Sequence, residues 1–216
     1  METEVKFGWE TDSLFELLNP SVCQYRKKGT PFKIEETDKL GKAEVTIFPE
    51  CPCFVVRNMD KEMQSLHFLN DACGDVLDEK YGSLVTKCAD HAVFLFDNGK
   101  WNLHIFELKR SINREKWKEM ILFQFNGAVI RSHVLAGAIR ISEFSAIYLH
   151  CCYREYKSSP AELKTMNGKP AQPDFLKRPI PLKPYTDLAV KNAPIKLNEN
   201  GCAEIRLNQS GYVIVS

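Results

Sequence analysis

The chain has 216 residues, 44% of them hydrophobic and 26% charged, with a formal net charge of +1. That length suits one domain, or one domain with an appendage, and the composition excludes a disordered chain. Near-neutrality gives no global pull toward nucleic acid. No run of eighteen apolar residues and no basic-then-apolar leader occurs, so neither a membrane span nor secretion is expected, and the expected setting is cytoplasmic.

Charge is nevertheless uneven. Residues 1–20 carry five acids against Lys6, and residues 100–118 carry six bases against Glu107 and Glu115. The second stretch is either a phosphate-binding zone or a solvated helix face. Of the eight cysteines, Cys51-Pro-Cys53 and Cys151-Cys152 lack the CxxC spacing of zinc and redox sites. Buried, reduced thiols are therefore expected rather than disulfides or a zinc site.

In chain order, residues 7–18 predict a helix capped by Asp12 or Ser13 and stopped by Asn19-Pro20. Residues 25–29 read as a basic, solvated turn. Apolar and β-branched residues at 43–48 and 54–57 predict two short strands, divided by Pro49 and Pro52, forming an extra hairpin or a lead-in to a sheet. A helix over 60–77 follows from Met63, Leu66, Leu69, Cys73 and Val76, with Asp60 as its cap. Glu62 in its first turn either faces a site or answers the helix dipole.

Residues 89–109 organise the rest. Two runs of strand formers flank Asp97-Asn98-Gly99-Lys100, and Asn-Gly between such runs is the strongest short signal for a type I′ hairpin. If Asn98 and Gly99 form the turn, Asp97 pairs with Lys100 and Asp90 faces Glu107. Residues two apart in a strand share a face, so Lys109 joins the two acids. Facing carboxylates repel unless a cation lies between them. Magnesium, or manganese in its place, suits such a pair because it takes hard oxygen ligands and is commonly held by one or two carboxylates plus substrate phosphate.

An Asp at the start of one hairpin strand, with Glu107-Leu108-Lys109 at the end of the next, resembles the PD-(D/E)xK nuclease superfamily of restriction-endonuclease-like and RecB-like enzymes. Two departures stand: Ala89 occupies the Pro position, and no Tyr lies four residues after Gln124. The resemblance implies an α/β fold, with a central mixed β-sheet flanked by helices in an α-β-β-β-α-β progression. It further implies a metal held by Asp90, Glu107, the carbonyl of Leu108 and, from the preceding helix, Glu62. Lys109 would position water or stabilise the transition state.

After the hairpin, residues 110–113 read as a short connection, with Asn113 or Ser111 capping a helix that runs to about Val134. Trp117, Met120, Ile121, Gln124, Ala128 and Arg131 lie along or beside one stripe. The polar Gln124 either meets the active site, as a Gln does in RecB-like members, or is an exposed helical residue. Residues 144–153 predict a strand buried on both faces. The third strand of the core comes from 82–86 or from Ile141 onward.

Residues 158–194 hold most of the chain's prolines and predict an irregular arm, and 195–215 predict two or three short strands. Domain organisation is thus 1–157 as a nuclease-like α/β domain with an N-terminal extension, and 158–216 as an arm and small β extension packed on it. The functional expectation is a metal-dependent endonuclease or exonuclease acting on nucleic acid, DNA ahead of RNA, with Arg110, Arg114, Lys116 and Lys118 on flanking phosphates. A homodimer or a protein partner would complete the groove. The alternative is a binding or assembly protein that keeps the fold without cutting.

Overall fold

The computed structural model describes residues 18–38, 41–62, 87–158 and 190–215. In chain order the strands are β1 (Cys23–Arg26), β2 (Phe32–Asp38), β3 (Gly41–Pro49), β4 (Cys53–Val56), β5 (His91–Asp97), β6 (Lys100–Ile112), β7 (Ala146–Tyr156), β8 (Val190–Asn192), β9 (Ile195–Lys196), β10 (Cys202–Asn208) and β11 (Gly211–Ile214). A short helical turn, α1 (Met59–Glu62), follows β4. After β6 come α2 (Arg114–Lys116), a π-helical turn (Trp117–Ile121) and α3 (Leu122–Ala138).

The strands form two sheets. The larger is mixed and runs β1-β4-β5-β6-β7-β8, with β9 also pairing with β7. Its β1 to β6 neighbours are antiparallel, while β6, β7, β8 and β9 are parallel. The smaller sheet runs β11-β10-β3-β2 and joins β3 to β10 in parallel. The fold is therefore α/β with a mixed multi-stranded sheet.

Each face of the large sheet has its own cover. Phe54, Phe94, Leu103, Ile105 and Ile147 pack toward Ile121, Phe125 and Val129 of the helix. On the other face, Val55, Val93, Leu95, Phe106 and Leu108 meet Ile34, Val45, Ile47, Ile205 and Leu207 of the small sheet. Burial on both sides is why β4, β5 and β7 read as continuous apolar runs, whereas β2 alternates. Its Phe32 and Ile34 are buried, and Lys33 and Glu35 are exposed. Side chains buried to this extent contribute about 1.5–3 kcal/mol each. Where helices were expected to flank the sheet, the described residues place a helix on one face and a second sheet on the other.

The helix owes its register to its first turns. Asn113 Oδ1 accepts from the Lys116 amide at 2.7 Å, which caps the helix. Trp117, Ile121 and Phe125 recur every four residues and all lie buried. A four-residue repeat drifts around an α-helix of 3.6 residues per turn, and the wider π turn takes up that drift.

Several expectations are corrected. Tyr25 and Arg26 belong to β1, so the solvated turn is confined to the residues after them. The strands at 43–48 and 54–57 do not pair with one another, because β3 lies in the small sheet and β4 in the large one. The hairpin is flanked by β4 on its β5 side and by β7, which follows Ile141, on its β6 side, while 82–86 lies outside the described residues. β6 continues to Ile112 where a connection was expected, and β8 gives the end of the proline-rich stretch a place in the large sheet. All but the last residue of the predicted helix over 7–18, most of 60–77 and most of the arm lie outside the described residues.

Candidate functional site

The hairpin has the register its turn dictates. Asp97 pairs with Lys100 and His91 with Phe106, while Asn98 and Gly99 take the positive φ values, 50° and 75°, of a type I′ turn. His91 and Phe106 are the last pair, so beyond Phe106 this edge of β6 is open among the described residues. Asp90 fills the gap: its Oδ2 accepts from the Leu108 amide at 2.7 Å, where a strand carbonyl would otherwise serve. One step along, Glu107 is wholly buried, and its Oε1 meets the Lys109 ammonium. Lys109 Nζ also donates to the Leu108 carbonyl at 3.2 Å.

Three elements fix the residues before β5. The Ala89 amide donates to the Gln124 carbonyl of α3 at 3.0 Å, and the Met59 amide donates to the Asp90 carbonyl at 2.8 Å. The Met59 carbonyl in turn accepts from Nη1 of the buried Arg131 at 3.1 Å. Thus α3 positions this segment twice, at Ala89 and, through α1, at Asp90. Of these bonds the one from Arg131 is charge-assisted and so the strongest, and together they fix the backbone that carries the Asp90 carboxylate.

The electrostatics are those of too many acids in too dry a place. Burial pushes the Asp90 carboxyl up to about 7; the Lys109 charge and the Leu108 amide oppose the rise, and Glu36 and Asp60 add to it. Burial, reinforced by Asp90, holds Glu107 well above the usual carboxylate range, with Lys109 opposing. Lys109 is raised: burial works against its charge, and the attraction of Glu107 and Asp90 outweighs it. Among the described residues one ammonium thus serves two buried acids. Glu107 Oε2 is buried and accepts no hydrogen bond among the described residues, an orphan lone pair of the sort a bound cation satisfies.

Asp90, Glu107 and Lys109 are brought together. Gln124 adjoins them through its backbone, and its buried Oε1 also has no hydrogen-bond partner among the described residues. Glu62 ends α1, and its side chain lies outside the described residues. Among the described residues no three His, Cys, Asp or Glu side chains converge into a ready-made metal cluster. What is available is two carboxylates and the Leu108 carbonyl, a donor set of hard oxygens that fits magnesium or manganese with water completing the shell.

Arg110, Arg114, Lys116 and Lys118 are all exposed, and none is drawn into the acid pair. Arg114 and Lys118 line a groove of about 400 Å³ with Asn113, Glu115, Glu119, Lys157 and Ser158. A larger cleft of about 760 Å³ lies between β7, β9, β10 and β11 and holds none of the hairpin residues.

Two contributors escaped the sequence reading. Arg131 looked like one more member of a helix stripe, and nothing local marks it as the holder of Met59. Glu36 was legible in principle: it continues the inward positions Phe32 and Ile34 of β2, where an acid is out of place. Its Oε2 stands 3.9 Å from Lys109 Nζ.

The described cysteines are all free, and no helix among the described residues is long and apolar enough to cross a membrane. The chain matches no protein-family model, no curated protein and no solved structure.

Proposed function

We propose that the chain is a magnesium- or manganese-dependent nuclease whose centre is Asp90, Glu107 and Lys109 at the open edge of β6. The observation that carries this reading is the pair of buried acids sharing one ammonium, with Glu107 Oε2 orphaned. The order β4, β5, β6, helix, β7, with β6 and β7 parallel, supports a restriction-endonuclease-like core and hence the PD-(D/E)xK family.

Asp90, Glu107 and the Leu108 carbonyl would hold the ion, whose chemistry is to polarise a phosphoryl oxygen and lower the pKa of water. Lys109 would orient that water and neutralise charge gathering on the phosphate as the phosphorus–oxygen ester bond breaks. Gln124 would offer its buried amide to the same space. Arg110, Arg114, Lys116 and Lys118 would grip flanking phosphates, making affinity salt-dependent and largely indifferent to sequence. DNA is the first substrate to try, and RNA the second.

The test is incubation of plasmid, linear DNA and RNA with magnesium or manganese. Asp90→Ala, Glu107→Ala and Lys109→Ala should each abolish cleavage while circular dichroism stays unchanged. Full activity in all three would refute the assignment. The second reading, a non-catalytic binding or assembly protein, draws on the Asp90 bond to the Leu108 amide, which gives the acid a purely structural task. On that reading no cleavage occurs, and Asp90→Ala lowers stability with no change in response to magnesium.

A further inference from the structure

The Lys109 ammonium touches Glu107 Oε1 and lies 3.2 Å from the Leu108 carbonyl oxygen. Both belong to residues assigned above to a divalent ion. The ammonium therefore stands where that ion would bind, and binding requires it to go elsewhere. Besides Glu107 and Asp90, the described residues place Glu36 near it, with Oε2 3.9 Å from Nζ. Glu36 comes from the small sheet, on the inward side of β2 in line with Phe32 and Ile34, and its side chain is 41% exposed. Lys109, beyond the last β6 residue that pairs with β5, is 16% exposed and so reaches solvent on this side. We propose that Lys109 has two stations, the Glu107–Leu108 station seen here and a Glu36 station taken up when a divalent cation claims those oxygens. Glu36 is then a positioning residue that makes the site's cation exchangeable.

This inference rests on the metal reading above and deepens it. At the first station Lys109 supplies the positive charge, so the acids are not left uncompensated. At the second it remains paired, close enough to act on a phosphate. Without Glu36 the displaced ammonium would lose its acceptor, and magnesium would compete less well.

The experiment is a double-mutant cycle read by calorimetric titration with magnesium chloride on the full chain, together with 15N observation of the Lys109 ammonium. Glu36→Gln should weaken magnesium binding roughly two- to fivefold, the range of a partly exposed ion pair. Lys109→Met, which removes the competing cation, should tighten it. In the Lys109→Met background the Glu36→Gln effect should vanish, and Glu36→Asp should restore most of the wild-type affinity. In the wild type, magnesium should shift the Lys109 nitrogen signal.

A Glu36→Gln effect that persists undiminished in the Lys109→Met background would mean that Glu36 acts on the ion by simple charge, and would overturn the exchange alone. So would wild-type binding that Glu36→Gln leaves untouched. A wild-type chain and a Lys109→Met chain that both bind no magnesium would overturn the metal reading itself, and the exchange with it.

Discussion

At the scale of single residues, the site is a place where the chain gives up stability. Asp90 is shifted from an ordinary 3.8 to about 7, chiefly by burial. Its folded-state pKa lies above its unfolded one, so the folded chain holds more protons between those values, and stability falls as pH rises through that window. Above about pH 7 the full cost of the buried charge is present. Asp90→Asn keeps an oxygen for the Leu108 amide and removes the charge. In metal-free protein at pH 8 it should stabilise the fold by an amount on the order of 1–3 kcal/mol and raise Tm, with the gain shrinking toward pH 4. Thermal melts of both proteins across that range check it, and an Asp90→Asn variant less stable at pH 8 than at pH 5 relative to wild type would show that the acid is well accommodated. This is the residue scale at which the sequence was most readable: Asn98-Gly99 dictates the hairpin register, and that register sets Asp90 opposite Glu107. Neither burial nor the single shared ammonium could be read there, because both depend on what α1, α3 and the small sheet bring to the open edge.

At the scale of elements, turns were more legible than the partners they serve. Gly99 and Gly201 both take positive φ, 75° and 77°, and both follow an Asn in a sequence that announces a turn. Their surroundings differ. A methyl group at Gly99 meets nothing within 4 Å, whereas one at Gly201 runs into the Lys42 carbonyl of β3, beside the bond from the Glu44 amide to the Gly201 carbonyl at 2.9 Å. Gly99→Ala should therefore cost about 1 kcal/mol, the strain of a left-handed alanine, and Gly201→Ala should cost more, about 2–3 kcal/mol, because backbone must also move. Chemical denaturation of the two variants tests the ordering. Equal losses would mean that β3 and the β9–β10 turn are not in close contact. Sequence separates the two glycines only if the pairing of β3 with β10 is known, and nothing local in either strand reveals it.

At the scale of the whole molecule, that pairing carries the architecture. β10 lies parallel to β3, Cys202 opposite Glu44 through Leu207 opposite Pro49, so strands from opposite ends of the chain make one sheet. The sequence reading placed 195–215 in a small β extension packed on the domain; the structure makes β10 an internal strand, between β3 and β11. Long-range parallel pairing leaves no local signature, which is why this part of the fold was out of reach. The small sheet also seals a polar layer. His104 Nδ1 and His150 Nε2 are 2.9 Å apart, and His150 Nδ1 is 3.0 Å from the Ala193 carbonyl. A carbonyl only accepts, so His150 carries its proton on Nδ1, and His104 donates to it. Tyr148 Oη and Asn102 Nδ2 both donate to the Gln209 carbonyl just beyond β10. Burial lowers His150 from 6.5 to about 3, with the Ala193 bond opposing, so the folded chain binds fewer protons than the unfolded one across that interval. Stability from this layer is present above pH 6.5 and is lost as pH falls toward 3. Ending the chain at Gly201 removes Ile205 and Leu207 from the inner face and Gln209 from Tyr148, opening both histidines to water. Such a chain should lose the single cooperative thermal transition at neutral pH and bind a hydrophobic dye. If it instead melts cooperatively within a few degrees of the full chain, β10 is a decoration, and the interior that places Glu36 beside Lys109 is built by β2 and β3 alone.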